Sequence, residues 1–210
     1  MKRILFVLIT LLALGTILVA QTATVEEFSG KVEYRLGSAA WQPVRAGLRI
    51  PLNATISTGF GARAVLNVSG SQIQVAQLTR QAIEELADDG STVSTGLFVP
   101  VGRVRASVES PPSRSTDFTV RTAQSTAAVR GTEFETNGWQ LAVSEGVVEF
   151  ANLLGQSRNV GATQISAVGD DGPSDPSDEL NKQANIGDDF GFDGSEGDLR
   201  TSGYITVRWQ

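Results

Sequence analysis

The amino-acid sequence predicts an all-β protein, because apolar and polar residues alternate over short runs and turn residues separate those runs. Ala62, Ala64 and Leu66, for example, fall on one face of an extended segment. Asn137-Gly138 lies between two alternating runs and is the strongest hairpin signal in the chain. No periodic helices separate the runs, which disfavours a parallel α/β fold. We therefore expect a single domain of many short strands, of the β-sandwich or β-roll type.

The first twenty residues resemble a secretory signal peptide. Lys2 and Arg3 precede an apolar run over residues 4–20, and Ala20 offers a small residue for cleavage before Gln21. An uncleaved membrane anchor is the alternative, although the run is short for a span of about 20 residues. We expect an exported protein of a bacterium, located in the periplasm, at the cell surface or in the medium.

The β domain is expected over residues 24–168. Its alternating runs place the following residues on predicted buried faces: Ala62, Ala64, Leu66 and Val68; Val104, Ala106 and Val108; Phe118 and Val120; Thr132, Phe134 and Thr136; Leu141 and Val143; Val148 and Phe150. Turn signals separate them, namely Ser29-Gly30, Thr58-Gly59-Phe60-Gly61, Ser69-Gly70-Ser71, Asp88-Asp89-Gly90, Asn137-Gly138 and Glu145-Gly146. One segment is ambiguous, because Ile83, Leu86 and Ala87 have helical spacing over about two turns.

The C-terminal part is predicted to differ from the β domain. Residues 170–210 hold 10 acidic and 3 basic residues, whereas residues 21–169 hold 13 acidic and 12 basic ones. Residues 169–200 are therefore expected to form an acidic, disordered linker or tail. Residues 201–210 have strand composition, and either return to an edge of the sheet or form a tail that binds a partner.

The residue inventory argues against catalysis. The chain has no Cys and no His, so disulfides, thiolate chemistry, His-dependent triads and typical zinc sites are excluded. Glu133 and Glu135 would lie about 7 Å apart on a strand, a separation that some glycosidases use, but solvated strand faces carry such pairs routinely. Asp189 and Asp193 begin an EF-hand-like pattern that fails where Arg200 replaces the final Glu. We expect no enzyme, no cofactor, no metal site and, since no basic stripe exists, no nucleic-acid partner.

Two segments resemble the signature of the FecR domain. Residues 122–134 end in Val129-Arg130-Gly131-Thr132-Glu133-Phe134, which is similar to that family's V-R-G-T-x-F element. Residues 143–148 contain Glu145-Gly146 and resemble its E-G-x-V element. Trp41-Gln42-Pro43-Val44, Gly47 and Thr58-Gly59 resemble the family's N-terminal half, although Ala123 and Asn53-Ala54 depart from its usual Pro and Gly-Asp.

The resemblance implies an exported β module that takes part in envelope sensing or protein contacts. The archetypal member is a transmembrane regulator with a cytoplasmic anti-sigma segment. Only three residues precede the apolar run here, so we do not expect an anti-sigma mechanism. From the residues themselves, Gly131 permits a backbone geometry that other residues resist, and Arg130 could pair with Glu133, Glu145 or another carboxylate and so join adjacent strands. We interpret Val129, Arg130, Gly131, Thr132, Phe134, Glu145 and Gly146 as structural residues that fix a strand-turn-strand geometry.

Four other residues are candidates for ligand binding. Trp41 and Trp139 offer stacking platforms for a glycan or peptide, although buried or edge-capping tryptophans are commoner. Arg103 and Arg105 share one strand face and would form a small basic patch. The leading hypothesis is a binding module that contacts an envelope protein or polysaccharide. The alternatives are a carbohydrate-binding surface protein and a membrane-anchored signalling regulator.

Overall fold

The computed structural model describes residues 23–176, and this part of the chain is almost entirely β. The strands in chain order are β1 Ala23–Ser29, β2 Val32–Leu36, β3 Gln42–Pro43, β4 Arg49–Ile50, β5 Ala54–Thr58, β6 Arg63–Val68, β7 Ser71–Val75, β8 Arg80–Asp88, β9 Thr92–Val101, β10 Val104–Ser107, β11 Ser115–Thr122, β12 Ser125–Val129, β13 Glu133–Thr136, β14 Gln140–Glu145, β15 Val147–Asn152, β16 Ser157–Gly161, β17 Ile165–Gly169 and β18 Gly172–Pro173. The predicted all-β class is confirmed.

The strands form two open sheets of nine strands each. Sheet 1 has the order β18-β17-β14-β13-β10-β7-β6-β1-β4, and sheet 2 has the order β16-β15-β12-β11-β9-β8-β5-β2-β3. Single strands and hairpins enter the two sheets alternately, so each sheet gains strands mostly at one edge as the chain proceeds. Pairing is antiparallel except between β9 and β11, because β10 crosses to sheet 1 between them.

One continuous core separates the two sheets. The predicted inward faces are buried, and the largest side chains that are fully enclosed include Phe118, Phe134 and Phe150. Phe118 and Phe134 come from opposite sheets and meet edge to face, with ring centroids 6.5 Å apart. The alternation seen in the sequence is therefore the alternation between this core and the two outer faces.

The segment around Ile83 is a strand and not a helix. It belongs to β8, where Ile83 is buried and Leu86 is half-buried against the core. The register with β9 shifts between Ile83 and Glu85, which is a β-bulge. Because the bulge inserts one residue, the next inward side chain comes three positions later, and this spacing imitates helical periodicity.

The fold continues beyond the predicted boundary at residue 168. Residues 172–173 form β18, and the Ser174 Oγ accepts a hydrogen bond from the Ala167 amide at 3.0 Å. Asp175 forms an ion pair with Arg158 at 3.3 Å. The predicted linker is therefore wrong for residues 169–176. The remainder of that prediction, the signal peptide and the predicted strand at residues 201–210 lie outside the described residues.

Gln81 is a polar residue enclosed in the core. It lies at a second irregularity of the β8–β9 register, where the extra residue belongs to β9, it has no solvent exposure, and neither its Oε1 nor its Nε2 has a hydrogen-bond partner. We expect Gln81→Met to raise the free energy of unfolding by about 1 to 2 kcal/mol, since it removes two unsatisfied polar atoms at similar volume. Urea denaturation measures this change. Gln74→Met, on the exposed face of β7, is the control and should change stability by less than about 0.5 kcal/mol. Equal effects of the two substitutions would contradict the prediction.

Candidate interaction surfaces

The loops of the sandwich collect at two opposite ends. Because nearly all neighbouring strands are antiparallel, the turns after β5, β7, β9, β11, β13, β15 and β17 all lie at one end. We call it the Trp139 end. The turns after β2, β6, β8, β10, β12, β14 and β16 lie at the other, which we call the Arg130 end.

The Arg130 end contains the signature residues, and the structure places them at two adjoining corners. Arg130-Gly131 carries the chain from β12 in sheet 2 to β13 in sheet 1, and Glu145-Gly146 carries it back from β14 to β15. Both glycines have positive φ, +70° and +82°. A Cβ on Gly146 would lie 2.5 Å from the Thr132 Cγ2 and 2.9 Å from the Gly131 carbonyl oxygen.

The two signature segments therefore touch, and each needs a glycine where it crosses between the sheets. Glu145-Gly146 forms the predicted tight turn, but the strands that it joins lie in different sheets. Val129, Thr132 and Phe134 are buried. Arg130 does not form the possible ion pair: none of the ion pairs between residues 23 and 176 involves Arg130, and Glu133 pairs with Arg105 instead.

Asp89 closes the β8–β9 turn at this same end. Its carboxylate accepts hydrogen bonds from the Ser91 hydroxyl at 2.7 Å and from the Thr92 and Ser91 amides at 2.7 and 2.8 Å. The Ser91 hydroxyl, followed by the two amides, lowers the pKa of Asp89 below its usual 3.8. The charged form thus stabilises the fold above that value, and the contribution is lost as the pH falls.

Arg103 and Arg105 lie on the outer face of sheet 1, beside an open groove of about 640 Å³. Each arginine has a carboxylate partner on β13: Arg103 pairs with Glu135 at 3.3 Å and Arg105 pairs with Glu133 at 2.8 Å. The predicted basic patch is therefore charge-balanced. Glu133 and Glu135, the two carboxylates that the sequence suggested as a glycosidase-like pair, are therefore each bound to an arginine. Half-exposed ion pairs of this kind contribute little to stability.

Trp41 lies at the N-terminal edge of the sandwich and is half-buried. The guanidinium of Arg35 lies over its ring, 4.6 Å from the centroid. This cation–π contact occupies one face of the ring. Trp41 therefore offers a stacking ligand less surface than the sequence suggested.

Trp139 is 58% exposed and lies at the end named after it. The predicted hairpin holds it there: Asn137 Oδ1 accepts hydrogen bonds from the Trp139 amide at 3.0 Å and from the Gln140 amide at 2.9 Å. The Gly138 carbonyl accepts a further bond from the Ser125 hydroxyl at 2.7 Å. A local Asx turn and an anchor to the neighbouring hairpin thus fix the backbone that carries the indole.

A second Asx turn beside it exposes two leucines. Asn152 is buried, and its Oδ1 accepts hydrogen bonds from the Leu154 amide at 3.1 Å and from the Gln156 amide at 3.0 Å. This turn leaves Leu153 70% and Leu154 78% exposed. Together with Trp139 and Val168, the leucines line a mainly apolar cleft of about 330 Å³.

Three more apolar side chains continue this surface along the sandwich. Phe60 and Leu78 are exposed in the turns after β5 and β7, and Val101 is exposed at the end of β9. The Gly61 amide donates to Gln77 Oε1 at 2.8 Å, which joins the first two turns. We define the loop-tip surface as these six exposed residues: Phe60, Leu78, Val101, Trp139, Leu153 and Leu154.

Five of these six residues were not among the binding candidates predicted from sequence patterns. The sequence does contain a pattern that indicates exposed apolar residues in turns. Phe60 lies between two glycines, and Leu153-Leu154 lies between Asn152 and Gly155. Large apolar residues inside turn signals have no core to enter, and such residues mark contact surfaces when they cluster.

Other site types have no support in the described residues. Between residues 23 and 176 no three His, Cys, Asp or Glu side chains gather closely enough to hold a metal ion. In the same range no helix has the length and hydropathy needed to cross a membrane. The described residues thus form a two-sheet β module with a cluster of exposed apolar side chains at one end.

Part of this module is similar to a known family. Residues 54–149 match the family model described as FecR protein. These 96 of the 210 residues are similar to the FecR domain, and the resemblance drawn from residues 129–134 and 145–146, which lie within the match, is confirmed.

Two solved structures are similar to the chain at low sequence identity. Two crystal structures of a candidate anti-sigma factor from Parabacteroides distasonis ATCC 8503, at 2.50 and 1.65 Å resolution, are similar at 18% identity with TM-scores of 0.46 and 0.45. Each comparison covers 54% of this chain and 54% of the other. The chain thus spans about half the length of the solved structures that it matches. No curated protein matches the chain.

Proposed function

We propose that the chain is an exported, non-catalytic signalling module that binds a protein partner of the bacterial envelope through the loop-tip surface. The observation that carries the proposal is the segregation of exposed apolar side chains. Six of the ten large hydrophobic residues that are exposed in residues 23–176 belong to this one surface. The FecR domain supports a role in signalling, and the N-terminal residues 1–20 support export.

The dimensions of the loop-tip surface suit a protein contact. Four strand spacings separate the turn at Trp139 from the turn at Phe60, which is about 19 Å at ~4.8 Å per strand. Burying a leucine or a phenylalanine in an interface stabilises it by about 1.5 to 3 kcal/mol. A few such residues at the centre of a patch supply most of the affinity of a typical complex.

The strained backbone of Leu78 also supports a contact role for the loop-tip surface. This leucine has a φ of +55°, a conformation that costs a non-glycine residue about 1 to 2 kcal/mol, and yet it is exposed and apolar. The other non-glycine residues with positive φ in the described range are Asn53, Ser69 and Thr163, which are polar. Leu78 is strained but does not pack in the core. We therefore infer that it serves contact with a partner and not folding.

A carbohydrate ligand is a weaker candidate. Arg103, Arg105, Glu133 and Glu135 are engaged with one another, and Arg35 covers a face of Trp41. Trp139 has leucines as neighbours in its cleft, whereas a sugar needs convergent polar groups beside the aromatic platform. These surroundings favour an apolar protein segment at Trp139.

The test compares two double variants of the full chain in affinity capture from envelope fractions of the source organism. We expect Leu153→Ser/Leu154→Ser to lower recovery of the specific partner by at least about tenfold, the equivalent of 1.4 kcal/mol. The matched control, Leu36→Ser/Val147→Ser, changes exposed residues of the Arg130 end and should leave recovery within about twofold of the unchanged chain. Equal recovery with both variants would contradict the proposal. A glycan array that retains the unchanged chain and releases Trp139→Ala would favour carbohydrate binding instead.

A further inference from the structure

The loop-tip surface has a cationic half, which we define as Phe60, Leu78 and Val101 with the turns at which they lie. Those turns contain three arginines and no carboxylate, over residues 59–63, 76–80 and 101–103. The other half, which presents Trp139, has the opposite charge. Its turns contain two aspartates and no cation, over residues 123–124, 137–139, 153–156 and 170–171. A ligand of uniform charge therefore suits only one half.

The three apolar side chains of the cationic half stand in a row. The turns at which they lie cross from one sheet to the other above neighbouring strands, since β5, β8 and β9 are adjacent in sheet 2 and β6, β7 and β10 are adjacent in sheet 1. Adjacent turns are therefore about 4.8 Å apart. The three side chains line neither the open groove on sheet 1 nor the Trp139 cleft, so they form a projecting edge beside those two concave sites.

Backbone hydrogen bonds hold the row in place. The Leu78 amide donates to the Gly59 carbonyl at 3.2 Å, and the Ala76 amide donates to the Arg103 carbonyl at 3.0 Å. Each turn is thus fastened to its neighbour. A fixed backbone presents the three side chains, so binding does not have to order these turns first.

Two arginines without an ion pair flank the row. Arg63 is the first residue of β6 and Arg80 is the first residue of β8, so they lie in opposite sheets at the same end of the sandwich. Both are exposed, and neither forms an ion pair within residues 23–176, whereas Arg103 pairs with Glu135. Arg80 also lies directly across the β8–β9 ladder from Val101. The apolar row therefore has a positive charge without a counterion on each side.

We infer that the cationic half is a membrane-contact site, at which Phe60, Leu78 and Val101 enter the interfacial layer of a bilayer and Arg63 and Arg80 bind its anionic headgroups. A projecting apolar row bordered by cations matches this layered environment, in which acyl chains lie beneath negative charge. A protein partner would need a surface shaped around three separate projections, whereas a fluid bilayer adapts to them.

This inference goes beyond the proposed function and does not depend on it. Asp170 and Asp171 of the other half are exposed, and anionic headgroups repel them. The membrane contact is therefore confined to the cationic half, and it leaves the Trp139 cleft to the protein partner.

The absence of cysteine from the chain permits a position-specific test. Val101→Cys and Val147→Cys place a nitrobenzoxadiazole fluorophore at two valines that are 55% and 54% exposed, one at the cationic half and one at the Arg130 end. With vesicles of phosphatidylglycerol and phosphatidylcholine in equal parts, we expect the full chain labelled at position 101 to shift its emission to the blue and to be quenched by doxyl-labelled lipid. The label at position 147 should show neither change. Each label reports only its own surroundings, so insertion of another part of the chain does not alter the comparison.

Removal of charge tests the role of the two arginines. In the chain labelled at position 101, we expect Arg63→Gln/Arg80→Gln to lower the partition coefficient onto these vesicles by at least about tenfold, since each arginine near an anionic surface contributes about fivefold. The matched control, Arg49→Gln/Arg130→Gln, removes two other exposed arginines that form no ion pair within residues 23–176. It should change partition by less than about twofold, because water and salt screen charges that lie away from the contact.

Three results would overturn the inference. Equal emission changes at positions 101 and 147 would remove the preference for the cationic half. An equal response to vesicles of phosphatidylcholine alone would remove the headgroup contact. A response of position 101 to the captured partner, with none to vesicles, would make an acidic protein segment the occupant.

These tests are separate from the test of the proposed function. Leu153→Ser/Leu154→Ser changes the half that presents Trp139, and we expect it to leave the vesicle response at position 101 unchanged. A vesicle response with no loss of partner in that variant would keep the membrane site and refute the partner site. Partner loss in that variant without any vesicle response would keep the partner site and refute the membrane site.

Discussion

We expect Gly102→Ala to lower the free energy of unfolding by about 3 to 5 kcal/mol, the largest effect of any single methyl group added to this protein. Gly102 lies in the turn between β9 and β10 with a φ of +104°. A Cβ there would lie 2.6 Å from the Cβ of Thr79 and would also collide with the Thr79 Cα and Oγ1. Thr79 is fully buried, so it has little room to move away.

The collision matters because Thr79 is part of the hydrogen-bond network beneath the loop-tip surface. Its Oγ1 accepts a bond from the Arg103 amide at 3.0 Å, and its amide donates to the Thr58 Oγ1 at 3.0 Å. The Thr58 hydroxyl in turn donates to the Ala76 carbonyl at 2.5 Å. This network joins the turns that present Phe60, Leu78 and Val101.

Gly70→Ala is the matched control for this substitution. Gly70 has a similar φ of +90°, but no atom lies within 4 Å of the position of its Cβ. It should lose only the conformational term of about 1 to 2 kcal/mol. Urea denaturation of both variants measures the difference, and equal losses would refute the close approach of Gly102 to Thr79.

The second large effect concerns Phe134, the aromatic residue of the signature. We expect Phe134→Ala to cost about 3 to 5 kcal/mol, because the ring is fully buried and packs edge to face against Phe118 across the two sheets. The cavity would lie at the centre of the sandwich, where the strands on both sides are fixed by their ladders.

Phe60→Ala removes the same side chain from the loop-tip surface, where it is 86% exposed. We expect a change in stability within about 0.5 kcal/mol. Thermal unfolding followed by circular dichroism compares the two variants. A loss of similar size in both would contradict the division between a core phenylalanine and a contact phenylalanine.

The fold class could be predicted because a two-sheet core imposes a strict alternation on each strand. Leu66, Val104 and Phe118 are buried as their period-two pattern predicts, and Asn137-Gly138 joins a hairpin as its turn chemistry predicts. These signals are local, so one sequence is enough to interpret them.

The sequence could not show which sheet each strand enters. Glu145-Gly146 has the composition of a hairpin turn, but the strands on either side pair with other partners in different sheets. The bulge after Ile83 also made β8 resemble a helix in the sequence, because the inward residues on either side of the bulge are three positions apart. Pairing and register depend on contacts between distant segments, which local patterns do not contain.

The surface was the least predictable part for the same reason. Arg103 and Arg105 suggested a basic patch until β13 brought Glu135 and Glu133 beside them. The loop-tip surface exists only because antiparallel pairing brings the turns after alternate strands to one end. No single turn in the sequence indicates this convergence.

Site-specific photocrosslinking in the source organism tests the central claim most directly. A benzophenone side chain would replace Leu154 at the Trp139 end or Val147 at the Arg130 end, which are both exposed. The account predicts a discrete crosslinked product with one envelope protein from position 154 and none from position 147. A product from position 147 alone, or the same product from both positions, would contradict the assignment of partner binding to the loop-tip surface.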